Sequence, residues 1–236
     1  LYAALKELNT HDRCLVTVED PVEYEIDGIA QVSINPVQNL TFSGALRSIL
    51  RQDPDVILMG EIRDEETAEM TFRAAITGHF VMTTLHTNDA ITTIPRLLGL
   101  GIPATIVADS LRGVAAQRLV RKLCKHCAKD GPLPDDLYGK RFKTAFPKLA
   151  IKSAFGCEHC DQTGYKGRMP LFEIITMNDE LADAIRSGES SMSLRKIAAA
   201  SGSRPIFKVA IEAVSNGQTS ADEIHRVLGE SFWKEL

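Results

Sequence analysis

Residues 53–64, Asp53-Pro-Asp-Val-Ile-Leu-Met-Gly-Glu-Ile-Arg-Asp64, contain a short apolar run that ends in a carboxylate. The run Val56–Met59 is typical of a strand that is covered on both faces of a parallel sheet. Glu61 follows the carboxyl end of this strand, where open α/β sheets bind their ligands. A carboxylate there can hold magnesium or act on a water beside a nucleotide phosphate. A lone Glu after a strand is also an ordinary surface residue, so the neighbouring motifs decide between the two interpretations.

Composition places the chain among ordinary globular proteins. It has 236 residues, of which 44% are hydrophobic and 25% charged, and its formal net charge is −4. This balance does not favour a nucleic-acid partner. The longest apolar runs are shorter than a transmembrane helix, and we recognise no signal peptide. The five cysteines include two C-x-x-C pairs, which in this context favour a metal site over disulfides.

Strand and helix patterns alternate over residues 1–123 and predict an α/β sheet. Cys14 falls in the first predicted strand and is expected to be a small core residue. The predicted segments, in chain order, are a helix at 1–9, strands at Arg13–Glu19 and Ile29–Ile34, a helix from an N-cap at Thr41 through Arg51, a strand at Val56–Gly60, a helix at Glu65–Ile76, a strand at Phe80–Leu85, a helix at Asp89–Leu98, and a long helix from Pro103 to Leu123.

The pattern changes at Cys124. We predict three regions: residues 1–123 as the α/β core, 124–163 as a cysteine-bearing module, and 164–236 as a small, mainly helical subdomain. Within the last region, 164–176 has the pattern of an extended segment, and 178–228 has the pattern of three or four short helices.

The four paired cysteines predict a structural zinc site. Each C-x-x-C pair can grip one tetrahedral ion with two thiolates, and two pairs close a site with four thiolate ligands. The pairs are 29 residues apart, counting 128 through 156, which is longer than in an ordinary zinc ribbon. A redox dithiol is the alternative, but neither pair has a thioredoxin-like context. The ligands would be Cys124, Cys127, Cys157 and Cys160.

Two arginines and two histidines are further candidates. Arg47 and Arg51 are spaced i,i+4 and would project from one helix face, where two guanidinium groups suit a phosphoryl oxygen. A solvated helix face is the alternative. His79 and His86 flank the predicted strand Phe80–Leu85 and would point to opposite faces, so they make a poor zinc pair. His86, at the strand end, could instead sense a phosphate or orient an acid.

Three motifs resemble a known family. TVEDPVEY, LRSILRQDPDVILMGEIRD and GHFVMTTLHTNDA are similar to the Asp box, Walker B and His box of the secretion ATPases, which power type II secretion and type IV pilus assembly. The cysteine pairs and the segment Gly164–Glu173 resemble the tetracysteine module of the extension-type members. Retraction-type members share the boxes but usually lack these cysteines.

The resemblance implies roles for particular residues. Glu61 would be the Walker B glutamate that acts on the attacking water or the magnesium shell. Glu19 would belong to the Asp box beside the phosphates, and His86 would be the His-box histidine. Arg47 and Arg51 would be arginine fingers. Contacts to the bound nucleotide would come from Asp20, Glu23, Gly60 and His79.

The resemblance also implies a RecA-like ATPase core that uses ATP, Mg²⁺ and Zn²⁺. Its partners would be further copies in a hexamer and the platform proteins of an inner membrane, so the location would be cytoplasmic and peripheral to that membrane. The sequence contains no G-x-x-x-x-G-K-[ST] phosphate loop. We therefore expect a fragment cut just after that loop, without turnover of its own. The alternative function is a non-catalytic, zinc-stabilised module that docks a membrane platform protein.

Overall fold

The computed structural model describes residues 1–35, 37, 40–131, 140, 142–144 and 151–233. They fall into two compact units, Leu1–Arg112 with Met177–Ile197, and Gly113–Thr176 with Ala198–Leu236. Within the predicted cysteine module, 132–139, 141 and 145–150 lie outside the described residues. No helix among the described residues combines the length and the apolar character that spanning a membrane requires.

The first unit is built on a parallel four-stranded sheet in the order β2-β1-β3-β4. Its two central strands, β1 and β3, are buried along their whole length. This matches their nearly continuous apolar sequence and confirms the parallel α/β prediction. The strands are β1 (Leu15–Glu19), β2 (Ala30–Ser33), β3 (Val56–Met59) and β4 (Phe80–Thr83).

The first three helices of the first unit bury apolar side chains against this sheet. Thr41 caps the helix between β2 and β3 by accepting the Gly44 N–H at 3.1 Å. Asp64 caps the helix between β3 and β4 by accepting the Thr67 N–H at 2.8 Å. The Thr41 cap and the helix Glu65–Ile76 agree with the sequence prediction. The helices are α1 (Tyr2–Leu8), α2 (Phe42–Ile49), α3 (Glu65–Ile76), α4 (Thr93–Gly99), α5 (Ala104–Ser110), α6 (Asp179–Arg186) and α7 (Ser191–Ala200), the last of which continues into the second unit.

The second unit centres on a long antiparallel ribbon, in which β5 (Gly113–Leu123) pairs with β8 (Tyr165–Thr176). One face of the ribbon packs on α8 (Ile206–Ser215) and α9 (Ala221–Trp233). A short pair, β6 (Lys129–Asp130) with β7 (Lys152–Ser153), lies between the two cysteine pairs in sequence. The extended segment at 164–176 and the four short helices that follow it are confirmed.

Two sequence predictions were wrong. The long helix from Pro103 to Leu123 ends at Ser110, and residues 113–123 form β5 instead. Cys14 precedes β1 and is exposed, so it is not a core residue. For residues 113–123, the apolar pattern is real, but the pairing with β8 is not visible in the sequence. For Cys14, the predicted strand began two residues too early.

Candidate nucleotide and metal sites

Three of the predicted nucleotide-site residues lie at the carboxyl edge of the parallel sheet. Glu19 ends β1, Glu61 follows β3, and His86 follows β4. The register aligns these strand ends, with Val18 opposite Met59 and Met59 opposite Thr83. The chain extends the sheet from β1 to β2 on one side and then crosses to β3 on the other. This reversal beside β1 is the position where open α/β sheets form a ligand crevice.

Glu61 is the carboxylate of this edge that pairs with both a guanidinium and an imidazole. Its side chain is 15% exposed, it forms an ion pair with Arg63, and its Oε2 lies 3.2 Å from Nε2 of His86. The hydrogen bond from Arg63 lowers the pKa of Glu61 and outweighs the effect of burial, and His86 lowers it further. Glu61 is therefore ionised at neutral pH. The sequence placed Arg63 in the same motif but assigned it no role.

Glu19 is more buried and is held by neighbouring side chains. Its Oε1 accepts hydrogen bonds from Thr17 Oγ1 at 2.5 Å and from Gln31 Nε2 at 3.1 Å, and its Oε2 accepts one from the Tyr2 hydroxyl. Burial and this bond raise the pKa of Tyr2. Both oxygens of Glu19 thus have protein donors. The next residue, Asp20, has an Oδ2 4.0 Å from Nη1 of Arg63, so it faces the same guanidinium as Glu61.

Gly60 packs closely against β1. Its N–H donates to Val18 O at 2.7 Å, and a Cβ at this position would lie 3.1 Å from the same oxygen. The Gly60 carbonyl accepts a hydrogen bond from Thr84 Oγ1 at 2.6 Å. A side chain at position 60 would push β3 away from β1, which explains why a glycine precedes Glu61.

The structure does not bring the other candidates to Glu61. Arg47 pairs with Glu66 of α3 at 2.9 Å. Arg51 follows α2, which ends at Ile49, two residues before the predicted end. His79 precedes β4, at the opposite edge of the sheet from His86, and its Nδ1 lies 2.9 Å from Ala74 O. The backbone N–H of Glu23 donates to the Tyr2 hydroxyl at 3.2 Å.

The four paired cysteines converge in the second unit. All four Sγ atoms lie within 4.8 Å of one another, and Cys124, Cys127 and Cys160 are buried. The Sγ separations are 3.9 Å for 124–157, 3.8 Å for 127–160 and 3.7 Å for 157–160. Four thiolates bound to zinc at about 2.3 Å lie about 3.8 Å apart in a tetrahedron. A disulfide requires about 2.05 Å, so the cluster fits a metal ion and not disulfides.

Backbone N–H groups support the thiolate form. The N–H groups of Cys157 and Gly164 point at Sγ of Cys160, at 3.3 and 3.2 Å. Burial opposes ionisation, but these bonds prevail at Cys160 and lower its pKa to about 7, whereas at Cys157 burial raises the pKa to about 12. Outside the ligands, the rings of His126 and His159 stack with their centroids 4.0 Å apart. The donor set and its N–H···S bonds are compatible with a structural zinc site.

Sequence relatives are secretion and pilus proteins. The family model described as type II/IV secretion system protein matches residues 1–226. Type II secretion system protein E of Aeromonas hydrophila is 41% identical over 98% of this chain and 46% of its own length. Type II secretion system ATPase E of Vibrio cholerae is 42% identical over 98% and 46%. Type IV pilus assembly ATPase PilB of Pseudomonas aeruginosa is 43% identical over 96% and 40%. The chain spans about half the length of the curated relatives that it matches.

Solved structures show the same fold. The crystal structure of the pilus retraction motor PilT with bound ADP aligns with a TM-score of 0.69 and 25% identity, over 95% of this chain and 55% of that chain. The ATPase DotB of Legionella pneumophila aligns with a TM-score of 0.65 and 22% identity, over 93% and 53%. The chain belongs to the type II/IV secretion system protein family, and it combines the parallel-sheet, RecA-like α/β core of that family's ATPases with a cysteine cluster suited to metal.

Proposed function

We propose that the full-length protein hydrolyses ATP to power the assembly of a type II secretion pseudopilus or a type IV pilus. The relatives named for these systems support this proposal. The proposal includes a homo-hexamer that works at the cytoplasmic side of an inner membrane with its platform proteins. The observation that carries the enzymatic part is the contact between Glu61 and His86 at the ends of adjacent parallel strands.

The surroundings of Glu61 favour a particular chemical role. Because Arg63 and His86 both stabilise its charge, Glu61 is a weak base. A weakly basic carboxylate orients a water through hydrogen bonds better than it removes a proton before attack. In phosphoryl transfer, where positioning and electrostatics supply most of the catalysis, this role is sufficient.

Magnesium, bound together with ATP, would neutralise charge on the phosphates. The carboxylates of Glu61 and Asp20 are hard oxygen ligands of the kind that Mg²⁺ prefers, and both face Arg63. Asp20 is the more accessible of the two, with a side chain 38% exposed against 15% for Glu61. Glu19 would act mainly by holding the end of β1, since its oxygens already accept protein hydrogen bonds.

Arg47 and Arg51 would act as arginine fingers between regions of the assembled protein. Arg47 pairs with Glu66, and both side chains are 60% exposed. An exposed pair of this kind contributes at most about 1 kcal/mol, so Arg47 can exchange Glu66 for a phosphate at little cost. Fingers contribute roughly 10³–10⁵ in rate where they act.

Replacing Glu61 by Gln in the full-length protein tests the proposal. We expect ATP turnover with magnesium to fall at least about 100-fold, since the charge that orients the water is lost. The matched control is Glu69→Gln on α3, where the carboxylate pairs with the exposed Arg73. Turnover is measured on oligomeric protein whose folding is checked by circular dichroism. We also expect residues 1–236 alone to show no turnover.

Two results would count against the motor. One is the absence of turnover in a folded, oligomeric full-length protein, which would favour the non-catalytic docking module. The other is equal turnover in wild type and Glu61→Gln, which would place the reaction elsewhere.

A further inference from the structure

His86 is held in place by very little packing. Its side chain is 90% exposed, and its contact with Glu61 is a single hydrogen bond at 3.2 Å. A side chain with so little contact takes its position from the backbone that carries it. The position of the imidazole therefore depends on what anchors the segment 84–92, called here the His86 loop.

The amino-terminal side of the His86 loop is tied to the Glu61 segment. Thr84 Oγ1 donates to Gly60 O at 2.6 Å, and the Ile62 N–H donates to Thr84 O at 3.1 Å. These two bonds flank Glu61 in sequence. This side of the loop therefore moves together with the carboxylate that His86 contacts.

The carboxyl-terminal side of the loop is anchored through Asp89. One carboxylate oxygen of Asp89 accepts the Thr92 N–H at 2.8 Å, which fixes the turn into α4. The other oxygen accepts Nη2 of Arg195 at 2.6 Å. Arg195 lies in α7, 106 residues further along the chain and in the same compact unit. The Asp89 side chain is 17% exposed and that of Arg195 is 31% exposed, so water screens the pair only partly.

We propose that Arg195 is a positioning residue for His86 and acts through its ion pair with Asp89. The proposal rests on the proposed ATPase function, since it assigns a remote residue to the same site. Ala90 and Ile91 are buried and hold the start of α4, and the hydroxyls of Thr87 and Thr93 lie 3.1 Å apart across the loop. These contacts and the Thr92 N–H all come from the loop and α4 themselves, whereas Arg195 ties Asp89, three residues from His86, to the separate helix α7. The hydrogen bond from Arg195 also helps to lower the pKa of Asp89 against the effect of burial, which keeps the pair charged.

The test compares Arg195→Gln with Asp109→Asn in the full-length protein. Asp109 also pairs with an arginine of the first unit, Arg186 at 2.6 Å, but it lies on α5, outside the His86 loop. We expect Arg195→Gln to lower kcat on the order of tenfold with a smaller change in KM, because a displaced catalytic group costs rate more than binding. Arg195→Lys should recover part of the loss, and Asp109→Asn should leave kcat unchanged.

A second comparison, in a protein that already lacks His86, distinguishes loss of positioning from general destabilisation. In the His86→Ala protein, Arg195→Gln should cause no further loss of kcat, because the group that it positions is gone. A loss of kcat that persists undiminished in that background overturns the proposal. An unchanged kcat for Arg195→Gln in an active, folded protein also overturns it, while leaving the ATPase function intact.

Hydrogen exchange gives a readout that does not require turnover. Arg195→Gln should speed amide exchange at least several-fold in residues 85–92, whereas Asp109→Asn should not. If exchange in the His86 loop is the same in wild type and Arg195→Gln, the proposal fails whatever the ATPase assay shows. If the wild type lacks ATPase activity but Arg195→Gln still speeds amide exchange in the His86 loop, the positioning contact is supported and the proposed function fails.

Discussion

At the level of single residues, Glu223 is a buried carboxylate of the second unit that two arginines hold in place. It has no exposed side-chain surface, and Arg121 and Arg226 both donate to it. Its Oε1 also accepts the backbone N–H of Arg121 at 2.9 Å, which ties α9 to β5 three residues before Cys124. Although burial opposes the charge, the arginines lower the pKa of Glu223 from 4.5 to about 2.

We expect Glu223→Gln to lower the free energy of unfolding by about 3 kcal/mol at pH 7, because two arginines lose a buried partner. The folded pKa is below the unfolded one, so the charge stabilises the fold above about pH 4.5, and this contribution is lost as the pH falls toward 2. Urea unfolding of both proteins from pH 7 to pH 3 measures the difference. If Glu223→Gln lowers the free energy of unfolding as much at pH 3 as at pH 7, this account is contradicted.

Residues were placed correctly from the sequence where the chemistry is local. The convergence of the four paired cysteines follows from spacing alone, because two C-x-x-C pairs can serve one tetrahedral ion wherever they meet. The strand-end carboxylate Glu61 is found from the apolar run before it. Glu223 could not be found in this way, since Arg121 lies 102 residues away. Arg195 was missed for the same reason.

At the level of elements, β5 shows how a strand can carry a helical pattern. Residues 107–123 place apolar side chains at helical spacing and contain Ala, Leu, Gln and Arg, which favour helix. The same residues also alternate, with Ala116 and Val120 buried on one face of the ribbon. Pairing of ten of its residues with β8 selects the strand. This pairing is a tertiary effect, and it overrides local propensity.

We expect the element formed by the two C-x-x-C turns with β6 and β7 to depend on metal. We expect one zinc per chain, and we expect its removal by a chelator to abolish the ordered arrangement of β6 and β7, because zinc supplies on the order of 10 kcal/mol to small modules. Metal content by mass spectrometry and hydrogen exchange at 124–131 and 151–160 measure this. Cys157→Ser should release zinc.

Cys14→Ser is the control for that experiment, since Cys14 is exposed and lies in the other unit. It should change neither the zinc content nor the exchange. Full zinc retention in Cys157→Ser would show that Cys157 is not a ligand. Unchanged exchange after chelation would show that the cysteine cluster keeps its structure without metal.

At the level of the whole molecule, the first unit is discontinuous in sequence. Residues Met177–Ile197 return to it after the chain has formed most of the β5–β8 ribbon. They contribute α6, which packs on α5 and buries Leu181 and Ile185. The sequence predicted a division into 1–123, 124–163 and 164–236. Each of these ranges is continuous, because local sequence patterns do not show which distant segments share a compact unit.

Leu181→Ala tests the contribution of α6 to the first unit. We expect it to lower the free energy of unfolding by about 3 kcal/mol, because a buried leucine leaves a cavity. Loss of amide protection in β1 and β3 would locate the effect in the first unit. The exposed neighbour Glu180→Ala should stay within about 0.5 kcal/mol of the wild type. Normal protection of β1 and β3 in Leu181→Ala would mean that α6 does not stabilise the sheet.

The return of α6 also sets the order in which a ribosome can complete this protein. The sheet of the first unit emerges early, but its last helices emerge only after residues 113–197 have been translated. At about 5–20 residues per second, those 85 residues take roughly 4 to 17 s. For most of that interval α5 lacks its partner α6, while both cysteine pairs have already been translated. We therefore expect the nascent first unit to expose the apolar surface that α6 covers, and expect the translation rate through 113–197 to affect yield.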